Sequence, residues 1–130
     1  MLYSIHGLSL YEAEEAFDSS LEKKLIARLT ALPNIRWWHR NIAKREFCIN
    51  GFINHYPDFM VMTKKGNIVF VETKGEHLKN DDSIHKVRLG RAWQNAAGKQ
   101  YRYYMVFEDT DTLIDGVVNM SHFIKLMEAL

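Results

Sequence analysis

Apolar residues recur every three or four positions from Phe17 through Leu21, Leu25 and Leu29 to Leu32, the spacing of one helical face, and Pro33-Asn34 ends the segment. Asp18, Ser19 or Ser20 supplies a cap at its start. The period then shortens. Residues 35–41 and 46–52 are rich in aromatic and β-branched side chains and predict strands. Residues 59–62 and 68–72 are short, continuous apolar runs separated by Lys64-Lys65-Gly66-Asn67, which reads as a turn. Neither run alternates with polar residues, so both predict strands covered on two faces. After a polar loop over 75–83, residues 84–97 predict a second helix with Ile84, Val87, Trp93, Ala96 and Ala97 inward, closed by Gly98. Residues 101–107 predict another strand and 121–130 a final helix. Residues 1–16 show no clear period and read as a short strand or a tether to a missing upstream domain.

This order of helix, strands, helix, strand and helix predicts an α/β fold, one central sheet with helices packed on its faces. A length of 130 residues fits one domain spanning 1–130. At 47% hydrophobic and 25% charged residues, disorder, collagen and coiled coil are excluded. No apolar run approaches the roughly 20 residues of a membrane helix, and the N-terminus lacks the pattern of a signal peptide. The single Cys48 rules out an intramolecular disulfide and fits a reducing compartment. A soluble, cytoplasmic protein with no membrane partner is expected.

The net charge of +1 conceals a division along the chain. Residues 1–20 and 105–130 each carry −4, whereas residues 21–104 carry +9. A basic centre between acidic ends suits a phosphate-facing surface and equally suits solvated, Lys-rich helix faces. Six histidines show no metal-ligand spacing, Cys48 has no partner, and neither a GxxxxGK[ST] loop nor a GxSxG elbow is present.

Candidate chemistry concentrates at the ends of the two apolar runs. Asp58 opens the first, and Glu72 and Lys74 close the second, two residues apart and therefore on one face. A hairpin about residues 64–67 returns Asp58 beside Glu72. Two carboxylates with a neighbouring ammonium suit metal-assisted phosphodiester hydrolysis: hard oxygen ligands hold Mg²⁺, and the Lys orients the nucleophile or offsets charge on the phosphate. The duller reading is a turn aspartate and a strand-end ion pair.

Pro57-Asp58, thirteen residues and then Glu72-Thr73-Lys74 have the form of the PD-(D/E)xK nucleases. More narrowly, His55-Tyr56-Pro57-Asp58-Phe59 with Val71-Glu72-Thr73-Lys74-Gly75 resembles the endonuclease domain of type III restriction enzymes and helicase-associated nucleases. The resemblance spans residues 17–107. It implies a restriction-endonuclease-like central mixed β-sheet flanked by helices, and Mg²⁺-dependent DNA cleavage with Mn²⁺ as a substitute. By the same implication Asp58 and Glu72 are metal ligands, Thr73 offers its backbone carbonyl, and Lys74 serves the nucleophile. The family also has an acidic helix residue ahead of the sheet, which Glu22 matches; Glu22 is equally placed for a capping box with Ser19. The family often joins this domain to a helicase or ATPase motor, which this chain lacks. A homodimer is a further expectation, because cutting both strands needs two active sites. A catalytically silent DNA-binding or scaffold module on the same fold is the alternative.

Arg88, Arg91 and Gln94 on the second helix, and Arg40 in Trp37-Trp38-His39-Arg40 with Lys44 and Arg45 nearby, are the candidate nucleic-acid contacts. Lys86 reads as part of a solvated face. Tyr101, Tyr103 and Tyr104 read as strand packing, and His55 and His77 flank the acidic motif, as structural residues or as assistants to it.

Overall fold

The computed structural model describes residues 20–41, 47–50, 54–74, 81–108 and 114–130. The proposed tether over 1–16, together with His77, Lys44 and Arg45, lies outside these residues. Helix α1 (Ser20–Thr30) leads into β1 (Ile35–Arg40), the short β2 (Ile49–Asn50) and β3 (Asn54–His55), then β4 (Phe59–Thr63) and β5 (Ile68–Lys74). Helix α2 (Asp81–Ala97), β6 (Tyr101–Phe107), β7 (Val117–Asn119) and α3 (Met120–Glu128) follow.

The five longer strands form one mixed sheet in the order β1-β4-β5-β6-β7. β4 is antiparallel to both β1 and β5, whereas β5, β6 and β7 run parallel. The chain is thus mixed α/β, a five-stranded sheet flanked by three helices. Among the described residues no helix is long and apolar enough to cross a membrane.

Two cores sandwich the sheet. On one face Leu21, Leu25, Ile26 and Leu29 of α1 and Phe123, Ile124 and Met127 of α3 bury Phe59, Val61, Val69, Val71 and Val106. On the other, Val87 of α2 and Ile49 of β2 bury Phe70, Tyr103, Met105 and Phe107. Successive residues Val69, Phe70 and Val71 therefore alternate between cores, which is why the run looked continuously apolar. Truncating a fully buried leucine such as Leu25 or Leu29 to alanine costs about 2–5 kcal/mol.

The turn at 64–67 forms as expected. Gly66 has φ +91°, a left-handed conformation open to glycine, and Thr63 N–H donates to the Asn67 carbonyl at 2.9 Å. Asn119 caps α3, accepting from His122 N–H at 2.8 Å.

Several boundaries move. Helix α2 starts at Asp81, inside the expected polar loop, and it buries Ser83, Val87 and Gly90 while Ala96 is exposed. Of the expected strand over 46–52 the described residues are 47–50, of which Ile49–Asn50 is strand and pairs with β3 in a separate two-stranded ribbon. β7 was not foreseen; its three residues are too few to show a period, and its pairing with β6 holds it.

Candidate functional site

The register Phe59↔Val71 places Asp58 next to Glu72 at one end of the β4–β5 pair. The Asp58 backbone is fixed from the other side, where its carbonyl accepts from Asn41 N–H at 2.8 Å. Asn41 also bonds both ways with Phe47, donating from Nδ2 to the Phe47 carbonyl at 2.7 Å and accepting its N–H at 3.0 Å. The Phe47 ring stacks on Phe70 at 4.0 Å and meets Trp93 edge-on at 5.3 Å, so the segment before the ribbon is clamped to the sheet.

Asp58 Oδ2 accepts two hydrogen bonds from Thr73, one from the backbone N–H and one from Oγ1, each 2.8 Å. Both bonds go to Oδ2, which leaves Oδ1 to the site. Burial raises the Asp58 pKa, the Thr73 bonds oppose that rise, and the nearby Glu22 charge adds to it.

Glu72 is 6% exposed. Lys74 Nζ stands 3.6 Å from its Oε2, while its Oε1 is buried without a hydrogen-bond partner among the described residues. A buried orphan oxygen on a carboxylate is costly. Burial first, and Asp58 second, push the Glu72 pKa up to about 8, with Lys74 and Lys86 pulling against them. Lys74 and Lys86 together do not offset the burial of Glu72 beside Asp58, so Glu72 holds its proton well above the ordinary carboxylate range.

Behind the pair, on the α2 side, His55 Nε2 and the Tyr103 hydroxyl share a hydrogen bond of 2.6 Å, and both side chains are fully buried. Burial, followed by the charges of Lys86 and Lys74, lowers His55 to about 3, so the imidazole is neutral. Burial, then Glu72 and Asp58, hold the Tyr103 hydroxyl well above its ordinary pKa. Sequence reasoning treated Tyr103 as packing and left His55 as structural or assisting. Their meeting across 48 positions has no local signal.

The structure brings Asp58, Glu72, Thr73 and Lys74 together; the remaining candidates divide. Glu22 is buried near this cluster, but its Oε1 receives Arg40 Nη2 at 2.5 Å. Arg40, expected as a nucleic-acid contact, is only 12% exposed, and its guanidinium lies 5.1 Å from the Phe59 ring centroid. It is an internal counter-ion because β1 pairs with β4 and turns it toward Glu22. Trp38 of the same strand is buried edge-on against Phe59.

Arg91 and Gln94 serve the sheet edge. β7 pairs only with residues 105–107 of β6, leaving the Tyr103 backbone exposed on that side. Gln94 Oε1 accepts Tyr103 N–H at 2.9 Å, and Arg91 Nη1 donates to the Tyr103 carbonyl at 3.0 Å and to Gln94 at 2.7 Å. Arg91 also pairs with Asp115 at 3.1 and 3.2 Å. The two side chains take the place of a paired strand along this stretch of β6. Arg88 remains exposed.

No family model matches the chain, and no curated protein matches it. Among solved structures, protein VC1899 from Vibrio cholerae matches over 88% of this chain and 35% of its own, with 11% identity and a TM-score of 0.47. The chain thus spans about a third of the length of that protein.

A divalent cation fits the donor set at its centre, where the orphan Glu72 Oε1 and the second oxygen of Asp58 supply hard ligands. The fit is limited to these two acids, since among the described residues no three His, Cys, Asp or Glu side chains form a metal-holding group.

Proposed function

We propose that the chain is a Mg²⁺-dependent DNA endonuclease, a phosphodiester hydrolase of the PD-(D/E)xK type on a restriction-endonuclease-like sheet. The observation that carries this reading is the buried Glu72 Oε1 beside Asp58, unpartnered among the described residues, with Lys74 at the rim. Asp58, Glu72 and the Thr73 carbonyl would hold the ion, which when bound would supply Lewis-acid polarisation of the phosphodiester and a water of lowered pKa. Thr73 N–H and Oγ1 keep Asp58 in one rotamer, so no reorganisation is required at the moment of reaction. Lys74, 3.6 Å from Glu72 and 27% exposed, has room to swing toward the nucleophile or the phosphate. Arg40 neutralises Glu22, which reduces like-charge repulsion on Asp58 and makes Glu22 a supporting acid rather than a first choice of ligand. The reading places the protein in the cytoplasm with DNA as substrate, and with a second copy or a helicase motor as candidate partners.

The rival is a non-cutting DNA-binding or scaffold module on the same fold. It is favoured by the commitment of Glu22 to Arg40, which leaves two carboxylates instead of three for an ion. Incubation with supercoiled plasmid and Mg²⁺ separates the two readings. The nuclease converts the plasmid to nicked or linear forms, and Asp58→Ala, Glu72→Ala and Lys74→Ala each abolish this. An intact plasmid with retained DNA binding selects the rival.

A further inference from the structure

Lys86 has no part in the chemistry so far, yet the topology sets it against the carboxylates. Helix α2 joins the parallel strands β5 and β6, so it runs antiparallel to both. Its height is fixed by Gly90, where an added Cβ would come within 2.4 Å of the Tyr103 ring. Tyr103 pairs with Phe70, two residues before Glu72 on β5. Lys86 lies one turn before Gly90, about 6 Å along the helix, and two strand residues also span about 6–7 Å. Lys86 therefore stands level with Glu72 on the same face of the sheet.

Its surroundings agree with that placement. Lys86 adjoins the buried Val87 and its side chain is 24% exposed, whereas its ion-pair partner Asp82, 3.3 Å away at the helix start, is 64% exposed. The charge of Lys86 is felt by both Glu72 and His55, two buried groups on this face. Such an i,i+4 pair is worth only a few tenths of a kcal/mol and yields easily to a stronger anion. Arg91, one turn and a residue further on, is committed to β6 and Asp115.

We propose that Lys86 is the phosphate-gripping residue of this site: its ammonium exchanges the Asp82 carboxylate for a nonbridging oxygen of the nucleic-acid strand, bracketing the backbone opposite Lys74. This assignment rests on the carboxylate cluster being a nuclease centre. Asp82 acts as a holding partner that keeps Lys86 extended along the helix until the strand arrives. A phosphate contact positions the strand without reading its sequence, so Lys86 contributes equally to all duplexes.

The test is fluorescence anisotropy of a labelled, random-sequence DNA duplex with the full chain, using Ca²⁺ in place of Mg²⁺ and checking on a gel that the duplex stays intact. Lys86→Met is expected to weaken binding about tenfold and to reduce the slope of log affinity against log salt by about 0.9. Lys86→Arg retains most of the affinity. Asp82→Asn tightens binding a few-fold, because the competing carboxylate is gone. Saturable calorimetric Mn²⁺ binding persists in Lys86→Met, with an affinity shifted by the loss of a charge that Glu72 feels. Wild-type affinity and salt slope in Lys86→Met, with Mn²⁺ binding still lost in Asp58→Ala, would overturn the Lys86 assignment and leave the carboxylate site standing. Absence of both Mn²⁺ and DNA binding in the wild type would overturn the two together.

Discussion

Replacing Glu72 by glutamine tests the electrostatics of the site without emptying it. The carboxyl titrates near 8 in the folded chain against an ordinary 4.5, so the native state holds a proton that the unfolded state has released. Folding stability from this group is therefore intact below about pH 4.5 and is lost as pH rises toward 8. At pH 7 the loss amounts to about 3 kcal/mol, most of it accruing between pH 5 and pH 7. Glutamine is nearly isosteric and does not titrate. Its amide has a fixed cost or gain against Asp58 above the range in which Asp58 itself titrates, so the slope is the informative quantity. Urea unfolding of wild type and Glu72→Gln at pH 5, 6 and 7, without metal, should show the variant gaining on the wild type by about 2–3 kcal/mol over that range. Saturating Mg²⁺ should close most of that gap at neutral pH, because an ion at 100 times its dissociation constant adds about 2.7 kcal/mol to the wild type alone. A pH-independent difference between the two proteins would refute the claim that Glu72 is buried without adequate compensation.

Other consequences follow from the same geometry. His55, lowered to about 3 from 6.5, contributes stability that is complete above pH 6.5 and declines on acidification, by about 2 kcal/mol at pH 5. It opposes the Glu72 slope, so His55→Gln should leave a protein whose urea stability falls between pH 5 and 7. Gly90→Ala gains about 1 kcal/mol of helix propensity but drives a methyl into the buried Tyr103 ring at 2.4 Å. The expected net is a loss of about 1–2 kcal/mol, read as a lower thermal midpoint; a rise would mean that α2 is free to shift. Arg40→Met removes a counter-ion from the buried Glu22 carboxylate and should cost about 3–5 kcal/mol, and adding Glu22→Leu should restore most of it in a double-mutant cycle.

The part of the site that was legible in the sequence is the part built by a local device. Lys64-Lys65-Gly66-Asn67 is a turn in its own right, and a tight hairpin of the apolar runs on either side of it carries Asp58 back to Glu72. What escaped depends on distant partners. Arg40 looked like a cation for DNA because nothing near it in sequence names Glu22, 18 residues earlier, as its counter-ion. Arg91 and Gln94 looked like a helix surface because the shortness of β7, which leaves the β6 backbone for them to bond, is a tertiary fact. Lys86 was read as solvated for a related reason. Its level with Glu72 follows from the close packing of Gly90 on Tyr103, a contact between residues 13 apart that has no local signal.

The central claim, that Asp58 and Glu72 form a divalent-cation site, is tested most directly by isothermal titration of Mn²⁺ and Mg²⁺ into wild type, Asp58→Ala and Glu72→Ala. Saturable binding in the wild type that disappears in both variants is the predicted result. Equal binding in all three proteins, or none in folded wild type even with DNA present, would contradict it.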